Sequence, residues 1–214
     1  FQQPMDFPPG TQYKYCNTNT VLLGMVVTKV TGLQLGDYFQ QNIFDPLGLA
    51  DTSYPPNGLM PAPYAHGYNQ SPDGETFDAA LWNPSWADAA GKIVSNLEDM
   101  KNWAAALGKG TLLRPDTQAR RVSNGTSAAP GVNYDFAIFD VHSWVGHNGD
   151  IPGYATVVVY LPEQDATLVV FVNSDVPELH SAGQIAYDVT SIATPGHLYE
   201  VGPVPPELLR EPGD

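Results

Sequence analysis

Apolar residues recur from Val21 to Val30 in "NTNTVLLGMVVTKVTG", which predicts a helix capped by Asn17, Thr18 or Asn19 and stopped by Gly32. The preceding residues, 1–12, read as loop. A shorter helix is expected over Leu35–Phe44, closed by "DPLG" at Asp45–Gly48. Residues 51–92 carry no sustained period, and so long an irregular stretch inside a compact domain points to function. In "SNLEDMKNWAAALGKG" a capping box pairs Ser95 with Glu98. The apolar face runs through Leu97, Met100, Ala104 and Leu107, and Gly108 is expected to end the helix. Farther on the period changes. "ATVVVYL" and "ATLVVFVNSD", joined by "PEQD", form an antiparallel hairpin. Its runs do not alternate, so both faces should be covered, with helices as the natural cover. Ser181–Ala193 reads as a last helix, and the Pro-rich residues 199–214 as an extended tail following a domain that spans 1–198.

Composition narrows the class. The 214 residues suffice for one sizeable core, and 20 glycines with 20 prolines favour a loop-rich α+β protein over a helical bundle. The formal charge of −14 and the lack of a basic patch exclude nucleic acid as a partner, since phosphate binding needs clustered Lys and Arg. Cys16 is the only cysteine, so neither an internal disulfide nor a thiolate metal site can be built. No run approaches the roughly 18 apolar residues of a membrane span. The sequence opens at Phe1 within a Gln/Pro-rich segment that reads like the inside of a longer protein.

Motifs for familiar chemistries are missing: HExxH, GxSxG, GxGxxG and the Walker loop do not occur, and nothing calls for a metal or cofactor. Two glycosylation sequons, at Asn69 and Asn124, decide nothing. Among the five histidines, His66, His142, His147, His180 and His197, only His147 has a suggestive setting. It lies in "GHNGDIPGY", flanked by Gly146 and Gly149 at an expected strand end, where glycine lets a ligand's backbone come close. Read singly, His147 is a turn histidine, Tyr15 an aromatic beside a helix start and Asn17 a cap.

Taken in order, these pieces resemble the penicillin-recognising serine hydrolases, in the branch of class C β-lactamases, D-alanyl-D-alanine carboxypeptidases and related esterases. "PGTQYKYCNTNTVLLG" is similar to that family's Tyr-x-Asn segment, here Tyr15-Cys16-Asn17, with Cys where Ser is commoner. His147-Asn148-Gly149 matches the branch's His-x-Gly element, and "AAGKIVSNLEDMKNW" its later helix start. The resemblance implies an antiparallel sheet flanked by helices, of β-lactamase/transpeptidase type. It implies an acyl-enzyme route on D-Ala-D-Ala-like peptides, β-lactams or small esters, with peptides or esters favoured. Tyr15 would then exchange a proton with the nucleophile or leaving group, its phenol brought down by nearby cations. Asn17 would bond the substrate amide or orient a lysine. His147 would add positive potential or a hydrogen bond to Tyr15 or to a substrate carboxylate. The backbone N–H of Asp150, past Gly149, would be one oxyanion donor. Trp82 and Trp86 either wall the cleft or pack in the core.

The family's first element, Ser-x-x-Lys, is absent from these 214 residues. The expectation is a fold incomplete at its N-terminus, with nucleophile and lysine supplied by an upstream portion of the same domain, on the same or a second polypeptide. The chain alone would be inactive and would expose an unpaired sheet edge. The alternative is a binding or structural module that kept the fold and lost the nucleophile. The resemblance also suggests an exported bacterial protein of the cell envelope.

Overall fold

In the computed structural model, residues 4–57, 59–123, 125–176 and 181–201 are described. Asn124 of one sequon, His180 and the expected tail beyond Val201 lie outside them. The chain forms helix α1 (Asn17–Thr31), then α2 (Leu35–Phe39), which a π turn links to α3 (Asp45–Leu47). A small hairpin follows, β1 (Tyr68–Gln70) with β2 (Thr76–Asp78), then α4 (Leu97–Lys109) and α5 (Pro115–Val122). The main sheet is an antiparallel meander of β3 (Thr126–Ala129), β4 (Val132–Tyr134), β5 (Phe139–Val141), β6 (Trp144–Ile151), β7 (Tyr154–Leu161) and β8 (Ala166–Val172). Helix α6 (Ala182–Ala193) is the last element among the described residues, which continue to Val201.

The expected hairpin is β7–β8, and β7 also pairs along its length with β6. Both faces are covered as its unbroken apolar runs require. Ala155, Val157, Val159 and Leu161 of β7 pack with Val170, Ala182 and Ala186 on the α6 side. Tyr160, one residue out of that phase, points the other way onto Gly108 of α4. The strands β3 to β5 escape sequence reading because they have three or four residues each and no clean alternation. Their burial comes from Val132 and Val141, which join the core only once the meander has formed.

Several local expectations are corrected. The N-cap of α1 is Cys16, without a side-chain cap, and Asn17, already inside the helix, accepts from the Tyr15 hydroxyl through its amide oxygen. The cap of α4 is Asn96, whose side chain accepts from the Asp99 N–H at 2.8 Å, while Ser95 is bonded to Thr52. Gly108 lies within α4, and the left-handed stop is Gly110. Gly32 and Gly48 end their helices as expected. Tyr199, placed by sequence in the tail, is 1% exposed, and its N–H donates to Thr190 Oγ1.

The 51–92 stretch is irregular apart from the small hairpin and two single 3-10 turns, Pro84–Trp86 and Asp88–Ala90, and it is tied down by polar contacts. Buried Asp99 accepts from the Asp51 N–H and the Thr52 hydroxyl. Lys92, also buried, lies 4.2 Å over the Tyr54 ring and 3.7 Å from Asp88, which in turn accepts from the Tyr54 hydroxyl. Ala89 meets Gly24, the one buried residue of α1. The helix that carries Tyr15 and Asn17 at its start is thereby docked on this segment.

Candidate active site

Strand β6 outruns its neighbour. Its pairing with β5 covers Trp144 to Gly146, whereas its pairing with β7 continues to Ile151. Among the described residues, His147 to Ile151 therefore have a strand on one side only. Alternate backbone N–H and C=O groups of this stretch face an open edge, a ready template for an extended ligand. Two glycines shape it. At Gly146 a β-carbon would lie 2.2 Å from the Val158 carbonyl oxygen, so β6 and β7 approach this closely only without a side chain. Gly153, at φ +89°, makes the turn into β7 and abuts Gly67 and Ala79.

His147 lies at the beginning of this edge. Its Nδ1 is 2.5 Å from the carbonyl oxygen of Asn148, and its Nε2 is 3.3 Å from the Tyr134 hydroxyl. Its ring rests on Phe139 at 4.7 Å and faces Tyr15 at 6.0 Å. Burial pushes the imidazole below its ordinary value, opposed in part by the bond to Asn148, so the ring is neutral at pH 7. The positive potential expected from His147 is therefore not supplied.

Tyr15 stands at the other side of this aromatic group. Its hydroxyl donates to Asn17 Oδ1 at 3.0 Å, which joins the two residues of the Tyr-x-Asn element directly. Tyr134 meets its ring edge-on at 5.6 Å, and Phe139 stacks on it at 6.5 Å. Partial burial, and to a lesser degree Cys16, hold the Tyr15 phenol above its ordinary value. This corrects the expectation of a phenol lowered by nearby cations: Lys14, the basic residue nearest in sequence, pairs with Asp6. Tyr15 is here a neutral donor, and a lowered pKa would require a cation from elsewhere.

The structure thus brings together Tyr15, Asn17 and His147, with Asn148, Gly149 and Asp150 continuing along the open edge. Trp82 and Trp86 are 54% and 61% exposed, so neither is core. Trp82 lies on Phe77, and its backbone N–H donates to the Ala79 carbonyl beside the β6–β7 turn, at the far end of the edge from His147. Tyr134, Phe139 and Tyr13 are the neighbours that sequence reading missed. The signal was faint: Tyr134 and Phe139 are at the ends of very short strands and Tyr13 is in the loop before α1, with no periodicity to place them. Among the described residues, no group of three or more His, Cys, Asp or Glu could hold a metal ion.

Comparison with known proteins fits this geometry. The family model described as Beta-lactamase matches residues 1–189. A D-aminopeptidase of Cereibacter sphaeroides is 28% identical over 180 residues, covering 79% of this chain and 33% of the relative. One from Gluconobacter oxydans is 27% identical over 208 residues, covering 92% of this chain and 37% of the relative. The chain thus spans about a third of the length of these curated relatives. A D-stereospecific amidohydrolase from Streptomyces sp. superposes with a TM-score of 0.74 at 30% identity, over 79% of this chain and 53% of the other. A penicillin binding protein from Bacillus halodurans shares the fold, with a TM-score of 0.76 at 23% identity over 88% and 59%.

Proposed function

The chain belongs to the beta-lactamase family, serine hydrolases that include D-aminopeptidases and D-amino acid amidases, and from that premise we propose that it forms one wall of an acyl-transfer site. The observation that carries the reading is the open edge of β6, with His147-Asn148-Gly149 beside the Tyr15–Asn17 pair. A substrate carbonyl laid along that edge would find backbone N–H groups to bind its developing oxyanion, Asp150 among them. The lysine from outside these residues would take the proton of the serine hydroxyl as it attacks. Tyr15, a neutral phenol with its proton in place, would hand that proton to the leaving group and recover one from the water that hydrolyses the acyl-enzyme.

The nucleophilic serine and its lysine would come from a segment outside these 214 residues. Two observations support this: no Ser-x-x-Lys occurs in the sequence, and α1 turns Leu23, Met25, Val26 and Val30 to solvent at 59%, 61%, 54% and 78% exposure. An apolar face of this kind on a catalytic wall suits a packed partner segment of the same domain. For substrate, D-amino-acid amides and D-peptides lead, with β-lactams and small esters behind. The names of the relatives favour that order.

The test is fluorophosphonate labelling of the full-length protein, with steady-state assays on D-phenylalanine amide, a chromogenic ester and a chromogenic cephalosporin. A labelled serine outside residues 1–214, with turnover of the D-amide, is the expected result. No labelling and no turnover would favour a module without hydrolytic activity.

A further inference from the structure

Both ring nitrogens of His147 are engaged, and the Asn148 carbonyl fixes the direction of the bond at Nδ1. A carbonyl oxygen only accepts, so Nδ1 carries a hydrogen and donates to Asn148. In the neutral ring Nε2 is then an acceptor, and the Tyr134 hydroxyl is the donor that reaches it. A chain of two hydrogen bonds runs from the end of β4, through the imidazole, to the backbone of β6 where that strand leaves its neighbour. Tyr134 is itself held on several sides: by Phe139 at 4.6 Å, by Tyr15 at 5.6 Å and by Tyr13 at 5.7 Å. Its hydroxyl therefore has little room to swing. In the sheet Tyr134 stands opposite Phe139, and Phe139 opposite Gly146, so it belongs to the last row before the open edge begins.

We infer that Tyr134 is a positioning residue for the acyl-transfer site: acting through His147, it fixes the Asn148 peptide on the open edge of β6 and with it the direction of the Asp150 backbone N–H. The inference rests on the reading of that edge as the oxyanion-binding wall. With both nitrogens committed, His147 moves no proton, and Tyr15 is left as the proton-transfer group of this wall. A backbone donor that is to bind an oxyanion must be held in place before the reaction, because reorienting it during the reaction costs rate. The relay holds it with side chains rooted in two different strands.

The test uses the full-length protein and D-phenylalanine p-nitroanilide. Tyr134→Phe should lower kcat about tenfold, the scale of one hydrogen bond, with KM changed by less than about twofold. Because the effect passes through His147, adding Tyr134→Phe to His147→Gln should slow the enzyme no further. Nitrogen-15 spectra of ring-labelled histidine should show His147 protonated on Nδ1, with the Nε2 signal moving to that of a ring nitrogen without a hydrogen bond in Tyr134→Phe. Effects that multiply in the double variant, an unchanged kcat in Tyr134→Phe, or a wild-type His147 protonated on Nε2 would each overturn the inference. Wild-type protein that does not turn over would sink the hydrolase reading instead, and the nitrogen spectra would still decide whether Tyr134 clamps the ring.

Discussion

The Tyr15 hydroxyl donates to the amide oxygen of Asn17 across 3.0 Å, binding the two named members of the Tyr-x-Asn element to each other. The bond occupies the Asn17 side chain at the start of α1, and the Tyr15 ring, 43% exposed, lies 6.0 Å from that of His147 at the β6 edge. It also makes the first prediction. In the full-length protein, Tyr15→Phe should cut kcat for a D-amino-acid amide by about 10²- to 10⁴-fold, the range of a lost proton-transfer group. Activity retained within a factor of three, in a variant that melts like the wild type, would remove Tyr15 from the mechanism.

Alkaline pH should unfold this protein early. Burial, the leading cause in each case, raises the phenols of Tyr54, Tyr134 and Tyr199 well above their ordinary value, so the folded state holds protons that the unfolded state has released. Stability conferred by the neutral phenols is complete below about pH 10 and declines as pH rises past it. Urea melts should be level between pH 8 and 9 on this account and fall beyond 10; a midpoint that climbs there contradicts the assignment.

Tyr199 offers a separate test, because its buried hydroxyl has no hydrogen-bond partner among the described residues. Removing an unsatisfied polar group should cost nothing, so Tyr199→Phe should hold or raise stability by about 1 kcal/mol at pH 8 and soften the alkaline decline. A loss above about 1 kcal/mol in chemical denaturation would show that the hydroxyl is satisfied.

Gly108→Ala sets helix propensity against packing. Alanine favours a helix interior by about 1 kcal/mol, yet the new methyl would sit 2.2 Å from Cδ1 of Tyr160. Tyr160 is itself held by Asp165 at 2.7 Å and is not free to swing aside. Net destabilisation of about 1–3 kcal/mol is expected from denaturant unfolding, and a more stable variant would refute the contact.

Asp99→Ala should loosen the 51–99 junction. It strips acceptors from the Asp51 N–H at 2.9 Å and the Thr52 hydroxyl at 2.7 Å, leaving donors unpaired at a cost of about 1–3 kcal/mol. Amide hydrogen exchange at residues 51 and 52 should quicken in the variant, and unchanged protection would count against the bond network.

Sequence alone determined whatever depends on a few consecutive residues. The period of Val21–Val30, the left-handed stops at Gly32 and Gly48, and the apolar hairpin runs that form β7 and β8 were all legible, because each reflects local geometry repeated along the chain. The family elements at Tyr15–Asn17 and His147–Gly149 were legible for the same reason. Tertiary structure decided what depends on distant partners. Asn96 rather than Ser95 caps α4 because Thr52, far away in sequence, takes the serine. The strands β3 to β5 form because a sheet gives three-residue segments a place to pair, and no period could announce them. The state of His147 was likewise out of reach. Burial makes it neutral, and Tyr134 and Asn148 set its tautomer, although nothing about the letters around it distinguishes a neutral clamp from a cation.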